Sequence, residues 1–463
     1  MKKFVLVLVV LCFVVGLGTT ASAESLLLTL DEALARVEFH SDYQAWLANL
    51  ENVEDTIQSV IDKHSLGLDL TSNLLRYTHN FDSETSQLST GGSLSLSKSS
   101  LKGTTLTGSI SPSVKLDELD LSTTWSIALE QTLWPSPSLS GDRITLTTAE
   151  QNQAVLQAQR EYLVENTKLK IEDLYRTAQL AQARLALART SLDNAQANLV
   201  VIVQKAELGE ASEADLISGQ LSVLRSEREL ESSLMAAQTA LDNLLTALDL
   251  TGDYRLAPLE VSNPPAGEGD LDVAGLLGNL ENHPLVLPYR SELEKARLEL
   301  QAANSESKPA ANLTLRLEDS PTNQTGGGLR FQATVSIGYP LLDRNQRVRT
   351  LEERIDAVEN AEESHQTALH NIQTALEDGV SELSKLARDR EIARLSVRQA
   401  QLEMEAAQTQ FDLGIIDQSI LTSAEMGLLQ AELDYWEASH RYDLAKRRLS
   451  QGIVGDLSGG MPR

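Results

Sequence analysis

The sequence predicts an α+β membrane protein. Long antiparallel α-helical coiled-coil hairpins stand beside β-strands that contribute to a barrel shared between copies, and the plan occurs twice. Three observations predict it. A glycine-bearing stretch recurs at a constant offset of 205, with Leu208, Gly209, Leu216, Ser218 and Leu224 falling on Leu413, Gly414, Leu421, Ser423 and Leu429. Each copy separates two long Ala/Leu/Gln/Glu-rich runs, and glycine just past a periodic run stops a helix because it tolerates a left-handed backbone. Between the helical runs, apolar and small polar residues alternate, which is the period of a strand with one apolar face.

Composition agrees with long, closely packed helices. Aromatic residues make up only 4% of the 463, and Ala, Leu, Gln, Glu and Ser dominate. The formal net charge of −27 is spread along the helical runs, as solvated helix faces require, and it makes nucleic acid a poor partner.

Residues 1–23 read as a secretory signal. Lys2 and Lys3 precede an apolar run from Phe4 to Leu17, too short to span a bilayer, and Ala21-Ser22-Ala23 is a small-residue cleavage site. Loss of the two lysines takes the formal charge to −29. Cys12, the only cysteine, lies inside this segment, so the mature chain has no disulfide, thiolate metal ligand or thiol nucleophile. Leu11 stands where a lipid-anchor signal needs a small residue. No later stretch has 18 consecutive apolar residues, so any bilayer crossing uses strands.

The first repeat, 24–260, opens with a helix over 30–62, where Leu34, Val37, Leu47, Leu50, Ile57 and Ile61 recur at helical spacing. Residues 67–133 alternate, as in Leu94-Ser95-Leu96-Ser97 and Trp125-Ser126-Ile127-Ala128-Leu129, with Gly91-Gly92, Gly103 and Pro112 as expected turns. A helix then runs from about Gly141 to Leu208. Its seam of Leu174, Ala178, Ala181, Leu185, Ala188, Leu192, Ala195, Leu199, Ile202 and Ala206 steps 4,3,4,3. A second helix is expected over 211–250, followed by a Pro/Gly linker at 251–270.

The second repeat, 261–455, follows the same order. It has a helical region at 271–307 broken near Pro284 or Pro288, strands at 312–317 and 329–339, a long helix over 343–413 and a last helix over 415–450. Residues 456–463 form a flexible tail. Leu34, Glu38 and His40 are echoed by Leu277, Glu281 and His283.

The long helices span about 100 Å each at 1.5 Å per residue, and two shorter ones end to end match one long one. Each chain then supplies two continuous and two broken staves to a cylinder, with the strands at the end opposite the hairpin tips. So few strands cannot close a barrel, and an open strand edge in lipid leaves unsatisfied N–H and C=O groups at several kcal/mol each. Several copies must pool their strands, and a shared barrel above a helical tube is a conduit.

Four features resemble the outer-membrane efflux protein family, the TolC-like exit ducts, over nearly all of the mature chain. They are Leu-Thr-Leu-Asp-Glu-Ala-Leu at 28–34, Lys308-Pro309-Ala310-Ala311-Asn312-Leu313-Thr314-Leu315 leading into a strand, the strand exits Gln131-Thr132-Leu133-Trp134 and Tyr339-Pro340-Leu341-Leu342-Asp343, and the doubled Leu-Gly tip. The resemblance implies a homotrimer in the cell outer membrane with a twelve-stranded barrel and a periplasmic helical tunnel. It implies docking to a periplasmic adaptor and an inner-membrane pump, in an efflux or type I secretion system that carries small molecules or proteins. The first half departs by showing four strand-like segments rather than two, so 92–113 is expected to be an extra hairpin, either outside or adding strands.

The resemblance also points to sites. Leu208, Gly209, Glu210, Leu413, Gly414 and Ile415 match the family's adaptor-docking tips, although the two glycines also simply end helices. The family often narrows its entrance with aspartates after the second tip. Ile420 and Ser423 stand there instead, which leaves Glu213, Asp215 and Asp417 as a candidate acidic ring or as ordinary solvated charge. Trp125, Trp134 and Tyr339 are candidates for membrane-interface anchors or for packing between barrel and helices.

His365 and His370 are five apart and do not share a helix face as a metal pair would. The chain carries no Ser/His/Asp order, phosphate loop or nucleotide fingerprint, so neither an enzyme nor a cofactor is expected. Thr325-Gly326-Gly327-Gly328 reads as a turn. The competing reading is an adaptor or structural coiled coil without a channel, but that class has one hairpin flanked by small β domains, and this chain has two.

Overall fold

The computed structural model describes residues 26–454 apart from 82–84, 117–119, 266, 268–270, 321–327, 340 and 342. The signal segment with Cys12, Thr325-Gly326-Gly327, and the 456–463 tail lie outside the described residues.

In order, the elements are β1 (Leu26–Leu28), α1 (Leu30–Leu34), α2 (Ser41–Lys63), β2 (Leu66–Asn80), β3 (Thr85–Ser100), β4 (Thr104–Lys115), β5 (Asp120–Trp134), α3 (Gly141–Glu207), α4 (Glu213–Ala247), β6 (Tyr254–Leu256), α5 (Val273–Gly278), α6 (Leu287–Glu306), β7 (Ala310–Ser320), β8 (Gly328–Gly338), α7 (Gln346–Asp412) and α8 (Gln418–Ser450). The two long helices have the same length, 67 residues. Every residue of the first heptad seam is buried or half-buried, and the alanines at 178, 188 and 195 are among the most enclosed. In the second seam Ile355 alone is exposed, while Ala361, Ala368 and Ala407 add close-packing positions.

The expected single helix over 30–62 is two helices. Thr29 caps α1 through a reciprocal capping box with Glu32, and a 3₁₀ turn at Val37–Phe39 then breaks the run. The break has a copy in the second half. His40 ends the first 3₁₀ turn at φ −66°, ψ 140°, and His283 ends the turn Leu280–Asn282 at φ −65°, ψ 133°. Both histidines are buried. The duplication seen in the sequence is therefore a duplication of backbone.

The chain divides into two compact units, each drawing on both repeats. One contains Met1–Ser41, Thr167–Gly269 and Leu383–Arg447; the other contains Asp42–Asn166, Asp270–Glu382 and Arg448–Arg463. In the first unit, β1 pairs in parallel with β6, a short strand inside the segment read as linker. The buried Tyr175 hydroxyl donates to the Leu28 carbonyl at 2.9 Å, and Gln179 donates to the Ala257 carbonyl at 2.6 Å. Leu180, Leu433 and Trp436 form a core that Leu259 and Val261 cover. Arg447 makes a fork to both carboxylate oxygens of Glu172, 2.9 Å each, and also reaches Asp443 at 2.8 Å. These partners raise its pKa.

The second unit holds the sheet. Its six strands are antiparallel and ordered β2-β3-β4-β5-β7-β8. Trp46 donates its indole N–H to the Leu156 carbonyl, and Leu293 and Ala296 of α6 pack on Ala361 of α7. Gly103 is a turn residue, at φ +73°. Gly91-Gly92 and Pro112, expected as turns, are strand interior. A Cβ at Gly91 would stand 2.9 Å from the Pro112 carbonyl oxygen, and one at Gly92 would stand 3.0 Å from that of Thr71. The glycines let neighbouring strands approach. Pro112, which has no N–H, sits where the β3–β4 ladder lapses between Gly91↔Ser113 and Leu94↔Ile110.

Candidate functional site

The two tips are the same structure built twice. Gly209 and Gly414 hold φ of +76° and +71°, a region that side-chain-bearing residues rarely adopt. At the first tip the Gly209 N–H bonds to the Ala206 carbonyl and the Glu210 N–H to that of Lys205. At the second, Gly414 bonds to Phe411 and Ile415 to Gln410. Each pair closes a Schellman cap. Helix ends usually bury an apolar contact there, yet Leu208, Leu413 and Ile415 are 76, 70 and 67% exposed. Nothing lies within 4 Å of a Cβ built on either glycine. All six tip residues singled out from the sequence are therefore exposed.

The three acids have local tasks as well. Asp215 forms a capping box with Ser212 at the start of α4, and hydrogen bonds from the Ser212 hydroxyl and backbone N–H hold its carboxyl below the usual range. Glu213 sits exposed in the same first turn. Asp417 immediately precedes α8 and pairs with Lys205, a partner the sequence did not single out.

The sheet sorts its side chains by face. Directly opposed residues share a face in an antiparallel ladder. One row reads Leu68, Leu96, Gly108, Ile127, Leu317, Phe331 across all six strands, and the next reads Leu70, Leu94, Ile110, Trp125, Asp319, Leu329. The opposite face carries Asp69, Ser95, Ser109, Ser126, Glu318 and Arg330. There Glu318 pairs with Arg316 at 2.8 Å and with Arg330 at 3.6 Å, and Ser109 bonds to Ser126. These three charged residues escaped the sequence reading, although their alternation with Leu315, Leu317 and Phe331 was the available signal. The apolar face is exposed at Leu68, Leu70, Leu96, Ile110, Ile127 and Phe331. Among the described residues, strands β2 and β8 each pair on one side only.

The aromatic candidates mark two levels of this sheet. Trp134 ends β5 beneath the Lys308 ammonium, 5.7 Å from its ring, and Tyr339 follows β8 with the Arg347 guanidinium 4.3 Å from its ring. Trp125 lies nine residues earlier on β5, opposite Ile110 and Asp319. Nine strand residues at 3.3 Å, tilted by about 40°, rise about 23 Å, close to the roughly 25 Å apolar band of outer-membrane barrels.

The family model described as outer membrane efflux protein matches residues 279–453. None of the curated proteins searched matches the sequence. Among solved structures, the Campylobacter jejuni CmeC outer membrane channel is 11% identical with a TM-score of 0.65, covering 96% of this chain and 92% of that one. The Neisseria gonorrhoeae MtrE outer membrane channel, solved in its open state, is 13% identical with a TM-score of 0.65, over 92% and 89% of the two chains. The Vibrio cholerae outer membrane protein VceC is 13% identical with a TM-score of 0.63, over 92% and 97%. At these identities the structures show a common fold, and it extends over both repeats. The outer membrane efflux protein model thus falls on the second repeat, and over both repeats the chain has the fold of these outer membrane proteins.

Proposed function

We propose that three copies of this chain surround one lumen and form the passive exit duct of a tripartite efflux or type I secretion system. The six-stranded sheet carries the reading. It is apolar on one face, polar and charged on the other, and open at both edges. Lipid satisfies the first face and water the second, while only further copies of the chain satisfy the edges. Transport energy comes from partners.

The exposed tips at Leu208-Gly209-Glu210 and Leu413-Gly414-Ile415 are the docking points for a periplasmic adaptor, which links the duct to an inner-membrane pump. The open space around both glycines and the three exposed apolar side chains support this. Glu213, Asp215 and Asp417 form an acidic entrance that favours cations.

The first test is conductance of the purified protein in planar bilayers; absence of any channel sinks the duct and favours a structural coiled coil. Gly414→Trp is expected to keep channel formation and lose adaptor crosslinking, and unchanged crosslinking removes the docking role. Glu213→Gln, which spares the capping box, is expected to lower cation preference. Unchanged selectivity removes the ring.

A further inference from the structure

We infer that all six strands of each copy cross the outer membrane, so that three copies close an eighteen-stranded barrel rather than the twelve-stranded one the family resemblance implies. The inference rests on the proposed trimer for the total and on the sheet alone for the six.

The question is whether the hairpin β3–β4 is wall or excursion, and three observations place it in the wall. First, face sorting runs through it without interruption. Leu96 falls in the row of Ile127 and Leu317 of β5 and β7, Leu94 and Ile110 fall in the next row of the same face with Trp125, and Ser95 and Ser109 fall in the row of Ser126 and Glu318. A hairpin projecting into water needs no such parity. β2 even inserts one extra residue between Asn73 and Arg76, beyond which Tyr77 again lies opposite Leu88. Among the described residues, two charged ones fall on the apolar face, both near strand ends: Asp319 of β7, and Lys98, two residues from the end of β3, where its stem can carry the ammonium to the headgroups.

Second, the strands are long enough. β3 has 16 residues and β4 has 12, against 11 each for β7 and β8, and a membrane-crossing strand needs about 9–11.

Third, the turn of the hairpin sits at the helix-side rim. The Thr132 N–H bonds to the Gly103 carbonyl, Gln131 donates to that of Lys102, and a Cβ at Gly103 would meet the Pro137 ring. The hairpin therefore descends the full height of β5 to where the chain leaves the sheet for α3. An excursion from the outer surface would turn back far above that level.

For strands about 4.8 Å apart and tilted about 40°, eighteen give a backbone radius of about 18 Å and twelve about 12 Å. The bore is about twofold larger in cross-section.

The mature chain has no cysteine, so single cysteines report cleanly. The full-length protein in liposomes carries an environment-sensitive fluorophore at Leu94→Cys, Leu96→Cys, Ile110→Cys, Ser95→Cys or Ser109→Cys, with Ile127→Cys and Ser126→Cys as references on β5. Lipid-borne nitroxide is the quencher. Positions 94, 96 and 110 are expected to quench as strongly as 127, and positions 95 and 109 as weakly as 126. Weak quenching throughout β3 and β4 beside strong quenching at 127 overturns the inference. Weak quenching at 127 itself overturns the underlying membrane reading instead. The mass of the detergent-solubilised particle counts copies; a number other than three overturns the eighteen, while the quenching pattern still decides the six. Deleting residues 82–119 joins β2 to β5 in the antiparallel sense, and polymer exclusion from the outer side should then report about a twofold smaller bore. An unchanged cut-off in a folded deletion variant overturns the inference.

Discussion

Lys205 Nζ lies 3.6 Å from Asp417 Oδ2, so the last turn of α3 is held to the residue just before α8. This ion pair joins the two tips, and both partners are well exposed. Such a pair contributes about 0–1 kcal/mol and weakens with salt. Lys205→Glu replaces attraction by repulsion. The expected result is faster amide exchange at residues 206–210 and 413–418, with an unchanged thermal midpoint. Unaltered exchange at both tips would mean the pair does not hold them.

Within the chain itself a side chain at either tip glycine would meet only backbone strain, because φ is positive and the surrounding space is open. Gly209→Ala is expected to destabilise the tip by about 1–2 kcal/mol, the penalty for an L-residue in the left-handed region, and Gly209→Asn by less. Exchange at the Glu210 amide, which closes the cap, measures both.

His283 is a pH-sensitive joint in the second unit. Burial pushes its pKa below the usual histidine value, against the opposing effect of its bond to the Gly452 carbonyl. Nε2–H donates to that carbonyl at 2.8 Å, and Nδ1 accepts the Leu285 N–H at 3.2 Å, so the ring is neutral with its proton on Nε2. The folded state binds fewer protons than the unfolded state as pH falls below about 6.5, so stability is lost on acidification and regained on raising the pH. Nuclear magnetic resonance titration should find a midpoint below that of free histidine. Exchange of the Leu285 amide should accelerate as the ring protonates, and a midpoint at or above the free value would contradict the assignment.

Faces of β5 are separated by one residue. Ile127→Lys puts an ammonium on the apolar face and should cost about 2–4 kcal/mol, read as loss of assembled protein in the membrane. Ser126→Lys, on the face with Glu318 and Arg330, should assemble normally and shift ion preference towards anions. Equal assembly of the two variants would dissolve the distinction between faces.

Arg447 joins two acids of the first unit, Glu172 and Asp443. Arg447→Ala leaves Glu172 and Asp443 without their cation and should cost about 1.5–3 kcal/mol. Arg447→Lys should recover part of this, because a point charge cannot reproduce the fork to Glu172. Thermal loss of helical signal is the measurement.

Periodic features were legible before any coordinates. The seams, the hairpin tips and the alternating strands each repeat a local rule many times, and repetition averages out exceptions. Single-residue punctuation was legible at Gly103, Gly209 and Gly414 but not inside the sheet. Gly91-Gly92 reads as a turn by composition, but the glycines answer to a neighbouring strand that comes within 3 Å of where a side chain would begin. Pro112 is tolerated because the ladder lapses beside it. Three-residue strands such as β6 leave no period to detect, and β6 exists because β1, far away in sequence, pairs with it. At the site, the tip residues were visible through their duplication. Lys205 and the Arg316–Glu318–Arg330 group were not, because their partners are set by register.

The two unpaired borders of the sheet bear on how the protein is made. If copies share one barrel as proposed, a lone copy has no restful place in a bilayer, and insertion and association then happen as one event. A variant damaged only along the outer margin of β2 or β8 would also be harmful in mixed company. It would still recruit sound copies and leave a leaking gap in every ring it entered, so its gene would behave as dominant over the intact one.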